Sequence, residues 1–353
     1  MKFIHIADIH YGMMPDAGKP WSENRKKEIL QSFYEVLAVC NREKADLLLI
    51  AGDLFHRQPL KKELKEVEYG FSKLRNTQVV LMAGNHDYIG QNSYYTQYEW
   101  KENVKILQGG EMQSLSFPHF STTVYGFSYD KRDIIEPRYD SLYAERENEI
   151  NILLAHGGDE KNIPINVRKL NASNFDYIAL GHIHKPQLIS NKMAYCGSLE
   201  PLDINETGPH GYIMGEIIKE GTKASVNIRF VPCAKREYIH LKVVVEPEMT
   251  AFQVYDIIKE EIERNGVNNL YRIILCGFRA IDLEWNFQTI GLLGNIIDVM
   301  DETMPNYDFE KLYHENRNNM IGMYIDAIRK SGYADDIADK ALYLGLEALK
   351  VGE

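Results

Sequence analysis

The chain has 353 residues, 44% of them hydrophobic and 26% charged, with a formal net charge of −11. These values fit an ordinary folded protein of two domains, with room for a small third, and exclude a disordered, collagenous or low-complexity chain. Uninterrupted apolar runs such as Leu47–Ala51 fall far short of the roughly 20 residues of a membrane span, and the start Met1-Lys2-Phe3-Ile4-His5-Ile6-Ala7-Asp8 meets charge too early for a secretory signal. No membrane association is expected, and the protein reads as cytoplasmic. Cys40, Cys196, Cys233 and Cys276 lie far apart without a CxxC pair, so they read as reduced, mostly buried thiols. The acidity is uneven: residues 234–353 carry 13 basic and 21 acidic groups, which leaves the first 233 residues nearly balanced and able to carry a basic groove.

In chain order, five short apolar runs have strand length and β-branched content: Phe3–Ala7, Leu47–Ala51, Val79–Ala83, Ile150–Ala155 and Tyr177–Leu180. Helical spacing of Leu30, Phe33, Leu37 and Cys40 predicts a helix over Glu28–Cys40, and Leu60–Leu74 repeats the pattern. This alternation predicts an α/β fold with a largely parallel sheet. Residues 88–143 are irregular, with a hairpin expected around Phe117–Tyr129. Strands Tyr212–Ile218 and Val226–Val231 are expected to close a second sheet. After the break at Pro232–Arg236 come a strand (Tyr238–Val245), a helix (Ala251–Arg264), a strand (Leu270–Cys276) and, from Asp308, helix. The domains expected are 1–235, a small α/β cap over 236–300 and a helical segment over 301–353.

The five runs end in Asp8-Ile9-His10, Gly52-Asp53-Leu54-Phe55-His56, Gly84-Asn85-His86-Asp87, His156-Gly157 and Gly181-His182-Ile183-His184. Loops beyond the carboxyl ends of strands in an α/β sheet converge on one crevice. Residues two apart, as in Asp8/His10 and His182/His184, project on one side of an extended chain, and the neighbouring glycines permit tight turns. Carboxylates, an amide oxygen and imidazoles without a thiolate suit borderline divalent ions rather than structural zinc. Seven such donors suffice for two ions if one carboxylate bridges. Taken singly, an Asp-x-His pair is usually a surface or turn pair, a strand-end His is usually structural, and Gly-Asn-His-Asp suits an asparagine turn. Their joint appearance in this order, each at a strand end, carries the argument.

This series of motifs resembles the calcineurin-like metallophosphoesterase superfamily. Within it, Gly52–His56, Tyr177–Leu188 and Tyr195–Asp203 resemble the SbcD-type DNA double-strand-break repair nucleases, over roughly residues 1–235. The resemblance implies a sandwich of two sheets flanked by helices, followed by the cap domain and C-terminal helices. It implies two divalent metal ions, manganese first with iron, zinc or magnesium as alternatives. Asp8, His10, Asp53 and His184 would hold the first, and Asp53, Asn85, His156 and His182 the second. His86 matches the family's catalytic histidine, and His56 the second histidine, which positions the phosphate or the strand. The implied activity is phosphodiester hydrolysis of DNA, as exonuclease and endonuclease, in repair. The alternative is a phosphodiesterase or phosphatase acting on small nucleotides or phosphoproteins, and a non-catalytic scaffold is a third class.

Arg25, Lys26 and Lys27, then Arg57, Lys61, Lys62 and Lys65, then Lys131 and Arg132 are candidates for tracking a DNA backbone, against the plainer reading of solvated faces. Tyr94, Tyr95, Tyr98 and Trp100 are weighed as base-stacking groups against loop packing, which is preferred. His5, His119, His210, His240 and His314 read as structural or surface groups. Two apolar stripes are expected at the chain end, one of Leu312, Ile321, Tyr324, Ile325 and Ile328, the other of Ile337, Ala341, Leu344 and Ala348. The partners implied are DNA and, by way of these helices, an SbcC-like, SMC-type ATPase, with a homodimer also open.

Overall fold

The computed structural model describes residues 1–145 and 149–350, which form two compact units, Met1–Ile239 and His240–Glu353. In the first unit, β1 (Lys2–Ile6), β2 (Leu47–Ala51), β3 (Gln78–Met82) and β4 (Val104–Leu107) run parallel in that order. A second six-stranded sheet contains β5 (Gln113–Phe117), β6 (Thr122–Gly126), β7 (Ile150–His156), β8 (Tyr177–Gly181), β9 (Gln187–Ser190) and β10 (Met193–Tyr195). Its order is β5-β6-β7-β8-β10-β9, with β6, β7, β8 and β10 parallel.

Side-chain alternation along each strand explains why the strand sequences are apolar throughout. Leu47, Leu49 and Ala51 face the second sheet and pack with Ile152, Leu154, Tyr177 and Ala179. Leu48 and Ile50 face the opposite way, onto Ile29, Phe33, Val36, Leu64 and Val67 of α1 (Ser22–Glu43) and α2 (Lys61–Phe71). The outer face of the second sheet packs Leu153, Ala155, Ile178 and Leu180 against Tyr129, Tyr139, Leu170 and Phe175. The result is the expected α/β sandwich of two sheets flanked by helices.

The hairpin expected around Phe117–Tyr129 is formed by β5 and β6, which pair antiparallel, whereas the two strands expected to close a second sheet lie elsewhere. β11 (Gly211–Glu220) and β12 (Lys223–Pro232) extend the first sheet, with β11 antiparallel to β1, and do not close the second. The open edge of β1 takes them because Gly215, opposite Phe3, leaves room for the ring: a Cβ there would lie 2.3 Å from it. Four of the described strands escape a reading of the sequence, β4, β9 and β10 for their shortness and Ile296–Pro305 for its acidic Ile-Ile-Asp-Val-Met-Asp-Glu-Thr-Met run.

The second unit holds a three-stranded sheet of Tyr238–Val245, Leu270–Arg279 and Ile296–Pro305, the last two parallel. Helix Ala251–Asn265 is capped by Thr250 and Gln253 and buries Val254, Ile258 and Ile262. Helices Phe309–Glu315, Met320–Arg329 and Asp335–Lys350 follow. Their small core is Ile325, Leu342 and Leu346, joined by Leu312, Ile321, Tyr324 and Ile328. The first expected stripe is therefore inward, but the second is not: Ile337 and Leu344 are 52% and 69% exposed. Gly345 sets this register, since the Tyr324 ring lies where a Cβ would stand and its hydroxyl donates to Ala341 O. No described helix is long and apolar enough to cross a membrane.

Candidate metal centre

The loops that follow β1, β2 and β3 carry Asp8, His10, Asp53, His56, Asn85 and His86, and those that follow β7 and β8 carry His156, His182 and His184. The tops of two sheets thus face one point. Their close approach depends on Gly181, where a Cβ would fall 1.9 Å from Ala51 O. Gly84 plays the same part beneath the site, where a Cβ would meet Asp53 Oδ1 at 2.3 Å and His156 Nε2 at 2.7 Å. The loops after β1 and β2 are laced together by Asp8 N–H to Gly52 O, His10 N–H to Asp53 O and Tyr11 N–H to Leu54 O, at 2.9–3.1 Å.

The backbone delivers the side chains differently from expectation. Asp8 (φ 53°), His10 (φ 48°), Asp53 (φ 50°) and His182 (φ 95°) all occupy the left-handed region. Successive turns, not an extended Asp-x-His segment, aim the pairs inward. Such conformations are costly for residues with a Cβ and cluster where surrounding structure over-determines them for function.

Three sets of side chains each offer donor atoms mutually within 4.8 Å: Asp8, His10 and His184; Asp8, Asp53 and His156; and His10, His56 and His86. Asn85 joins through Oδ1, 2.9 Å from His156 Nε2, which is also 3.4 Å from Asp53 Oδ2. His10 Nε2 lies 3.7 Å from Asp53 Oδ2 and 3.1 Å from His184 Nε2. His182 stands slightly apart: its ring is edge-on to His156 at 5.2 Å, and its backbone N–H donates to both Asp8 oxygens at 3.0 Å. His156 Nδ1–H donates to Ala51 O at 2.8 Å, and His184 Nδ1 is 2.6 Å from Glu206 Oε1. With those nitrogens committed, His156 Nε2 faces oxygen acceptors and His184 Nε2 faces His10 Nε2. Lone pair opposes lone pair at both places unless a proton or cation lies between. A divalent cation fits this donor set.

Burial acts on every group here; it prevails at Asp8 and His10, and neighbouring charge reverses it at Asp53, His156 and His184. It pushes Asp8 up to about 6, with the charge of Asp53 adding to it. It would raise Asp53 too, but the imidazoles of His156, His10 and His86 reverse the effect and hold Asp53 well below the carboxylate range. Burial lowers His10 strongly, against the pull of Asp53. For His156 burial is outweighed by Asp53 and Asp8, and for His184 by Glu206 and Asp8, so both stand at about 9.

His86 and His56 form the half-buried rim, with rings stacked at 5.2 Å. His86 N–H donates to Asp53 Oδ1 at 2.9 Å, and its Nδ1–H donates to His56 O at 3.0 Å, which frees Nε2. His56 Nδ1 is 3.3 Å from His10 Nδ1.

Three carboxylates about the site escaped the reading of the sequence. Asp87, fully buried, accepts from Phe55 N–H, Gly84 N–H and Tyr95 Oη–H at 3.1, 2.8 and 2.7 Å, and so ties the second loop to the third. Its signal was its place as the fourth residue of Gly-Asn-His-Asp. Asp159 lies 2.7 Å from His182 Nε2, and Glu206 pairs with His184. Both sit in loops outside the motifs, in Gly-Gly-Asp and Asn-Glu-Thr-Gly turns.

Arg25 takes a different place from that considered, while Tyr95, Tyr98, His5 and His210 pack as the sequence suggested. Arg25 lies on the buried face of α1, paired with Glu28 at 2.8 Å and Glu200 at 3.2 Å, so it cannot track a nucleic-acid backbone. Tyr95 is buried on Asp87 and Tyr98 is bonded to Glu68, as loop packing requires. His5 and His210 are buried on Tyr177 and Ser198.

Known proteins share sequence similarity with this chain. Residues 1–186 match the calcineurin-like phosphoesterase family. The chain is 28% identical over 329 residues to an uncharacterized metallophosphoesterase, YhaO, of Bacillus subtilis, covering 86% of this chain and 78% of that protein. It is 26% identical over 354 residues to a subunit of the SbcCD nuclease of Staphylococcus epidermidis, covering 88% and 90%. To the DNA double-strand break repair protein Mre11 of Methanocaldococcus jannaschii it is 31% identical over 220 residues, covering 58% of each. The chain belongs to the calcineurin-like phosphoesterase family and is a metal-dependent phosphoesterase.

Proposed function

We propose that the chain is a DNA nuclease of the repair type, hydrolysing phosphodiester bonds with two manganese ions. Asp8, His10, Asp53 and His184 would hold one ion and Asp53, Asn85, His156 and His182 the other, with Asp53 common to both. The observation that supports this reading is the convergence of Asp8, His10, Asp53, Asn85, His156 and His184 at the strand ends of two sheets, with the His182 ring edge-on to His156, beside a histidine whose Nε2 is free. Two ions held there would supply Lewis acidity to a phosphoryl oxygen and lower the pKa of a water. His86, anchored through Nδ1–H, presents Nε2, and in its cationic form it donates the Nε2 proton to the leaving alkoxide and becomes the neutral Nδ1–H imidazole. His56, stacked beneath it, steadies that ring and the bound phosphate. An oxygen- and imidazole-rich set without thiolate favours manganese or iron over structural zinc. DNA as substrate is supported by the names of two relatives, a nuclease subunit and a break-repair protein. A partner ATPase docked on the C-terminal helices is supported by the first of these names, which marks a component of a larger nuclease, and by exposed Ile337 and Leu344.

An activity panel in Mn²⁺ and Mg²⁺ with single- and double-stranded DNA ends, cyclic nucleotides and a chromogenic phosphate ester tests the reading. DNA hydrolysis that exceeds the others and is greatest in Mn²⁺ is expected. Turnover confined to cyclic nucleotides or the simple ester would replace it with the small-substrate alternative.

A further inference from the structure

Resting on the ligand reading above, we infer that Asp159 and Glu206 are positioning residues that serve the two metal sites separately, Asp159 through His182 and Glu206 through His184. Each carboxylate gives one oxygen to an imidazole and has the other tied to backbone. Asp159 Oδ2 is 2.7 Å from His182 Nε2, while Oδ1 accepts from Lys161 N–H and Asn162 N–H at 2.8 Å and from Asn162 Nδ2–H at 3.1 Å. Glu206 Oε1 is 2.6 Å from His184 Nδ1, while Oε2 accepts from Leu202 N–H at 2.8 Å.

The loop that presents Asp159 is built at a cost. Gly157 and Gly158 have φ of +147° and +135°; a Cβ would meet Asn162 O at 2.6 Å in the first and Tyr195 Oη at 2.4 Å in the second. Ile163, a buried β-branched residue, is held at φ 37° by a hydrogen bond to Ile134 O. Strain of this kind persists where the surroundings impose it, and here it fixes the position of one carboxylate.

A ring nitrogen that donates to a carboxylate fixes the tautomer and leaves the other nitrogen its lone pair. His182 therefore keeps Nδ1 free and His184 keeps Nε2 free, the latter facing His10 Nε2 at 3.1 Å. Because His182 and His184 serve different ions, each carboxylate governs one site.

Calorimetric titration of Mn²⁺ into the full chain tests this without reference to turnover. Asp159→Asn is isosteric and keeps an oxygen for the turn, but its amide donates toward His182 and drives the ring proton to Nδ1. The side chain is 48% exposed, so the change leaves no buried unpaired group. It should weaken one of two Mn²⁺ sites by ~10–100-fold and spare the other, and Glu206→Gln should do the converse. Combined with His182→Gln, Asp159→Asn should add no further loss; combined with His184→Gln it should add its full effect. Thermal unfolding of metal-free protein checks the fold, and Asp159→Ser is a second variant that retains a turn-forming oxygen. Two ions bound equally well by wild type and variants, or a loss shared by both sites, would overturn the inference alone. A wild-type chain that takes up no Mn²⁺ would overturn the metal reading and the inference with it.

Discussion

Asp53 is the residue on which most of the centre turns. Its Oδ2 lies within 3.7 Å of both His10 and His156, and its Oδ1 accepts the His86 amide at 2.9 Å. Asp53→Asn replaces that charge by a neutral amide. It should weaken both ions by more than the ~10–100-fold that loss of an outer partner costs, and should abolish hydrolysis; metal analysis alongside turnover checks this, and full occupancy would remove Asp53 from the bridge. His86→Gln should instead keep both ions, measured by the same titration, and lower turnover by ~10²–10⁴-fold. Loss of metal in that variant would make His86 a ligand. The donor residues were legible because their types recur at strand ends in a fixed order. Asp159 and Glu206 were not, because a carboxylate in a glycine-rich turn has no distinguishing pattern until the turn folds beneath a ring. Nor was the left-handed backbone at Asp8, His10 and Asp53, which sequence spacing cannot convey.

Among the elements, α1 shows what a charge cluster in sequence conceals. Arg25, Lys26 and Lys27 are adjacent, yet Lys26 and Lys27 are exposed while Arg25 is interior, donating to Glu28, Glu200 and Pro201 O. Glu200 in turn accepts from Ser32 and from Lys235 N–H, so one buried network fastens α1 to the segments after β10 and β12. Arg25→Met should cost about 3–5 kcal/mol, because it leaves the buried Glu200 carboxylate without its ionic partner, whereas Lys26→Ala should change stability by less than about 0.5 kcal/mol. Chemical denaturation of the two variants checks both, and equal midpoints would count against the network. The strands were readable for the converse reason: burial on both faces makes them apolar throughout, a signal independent of neighbours. The last helix was misread by a fraction of a turn, because two apolar registers were open and the Tyr324–Gly345 contact chose between them.

At the scale of the whole molecule, sequence order told little about which sheet each strand joins. β1, β2 and β3 lie in one sheet and β7 and β8 in the other, though all five have the same kind of sequence. The net charge of −11 belongs largely to the C-terminal third, so it places no bar on phosphate binding at the centre. The meeting of Gly181 with Ala51 O has a consequence for stability. Four of the donors ride on one sheet and three on the other, so any ion shared among them acts as a clasp across the sandwich. Opening the sandwich must then release the ions, and occupancy becomes a term in folding: each site saturated at 100 times its Kd adds about 2.7 kcal/mol. Chelation should accordingly lower the melting temperature of the first unit, and graded return of Mn²⁺ should restore it in proportion to the logarithm of free ion. A melting temperature indifferent to the chelator would mean that the two halves hold together by their apolar faces alone.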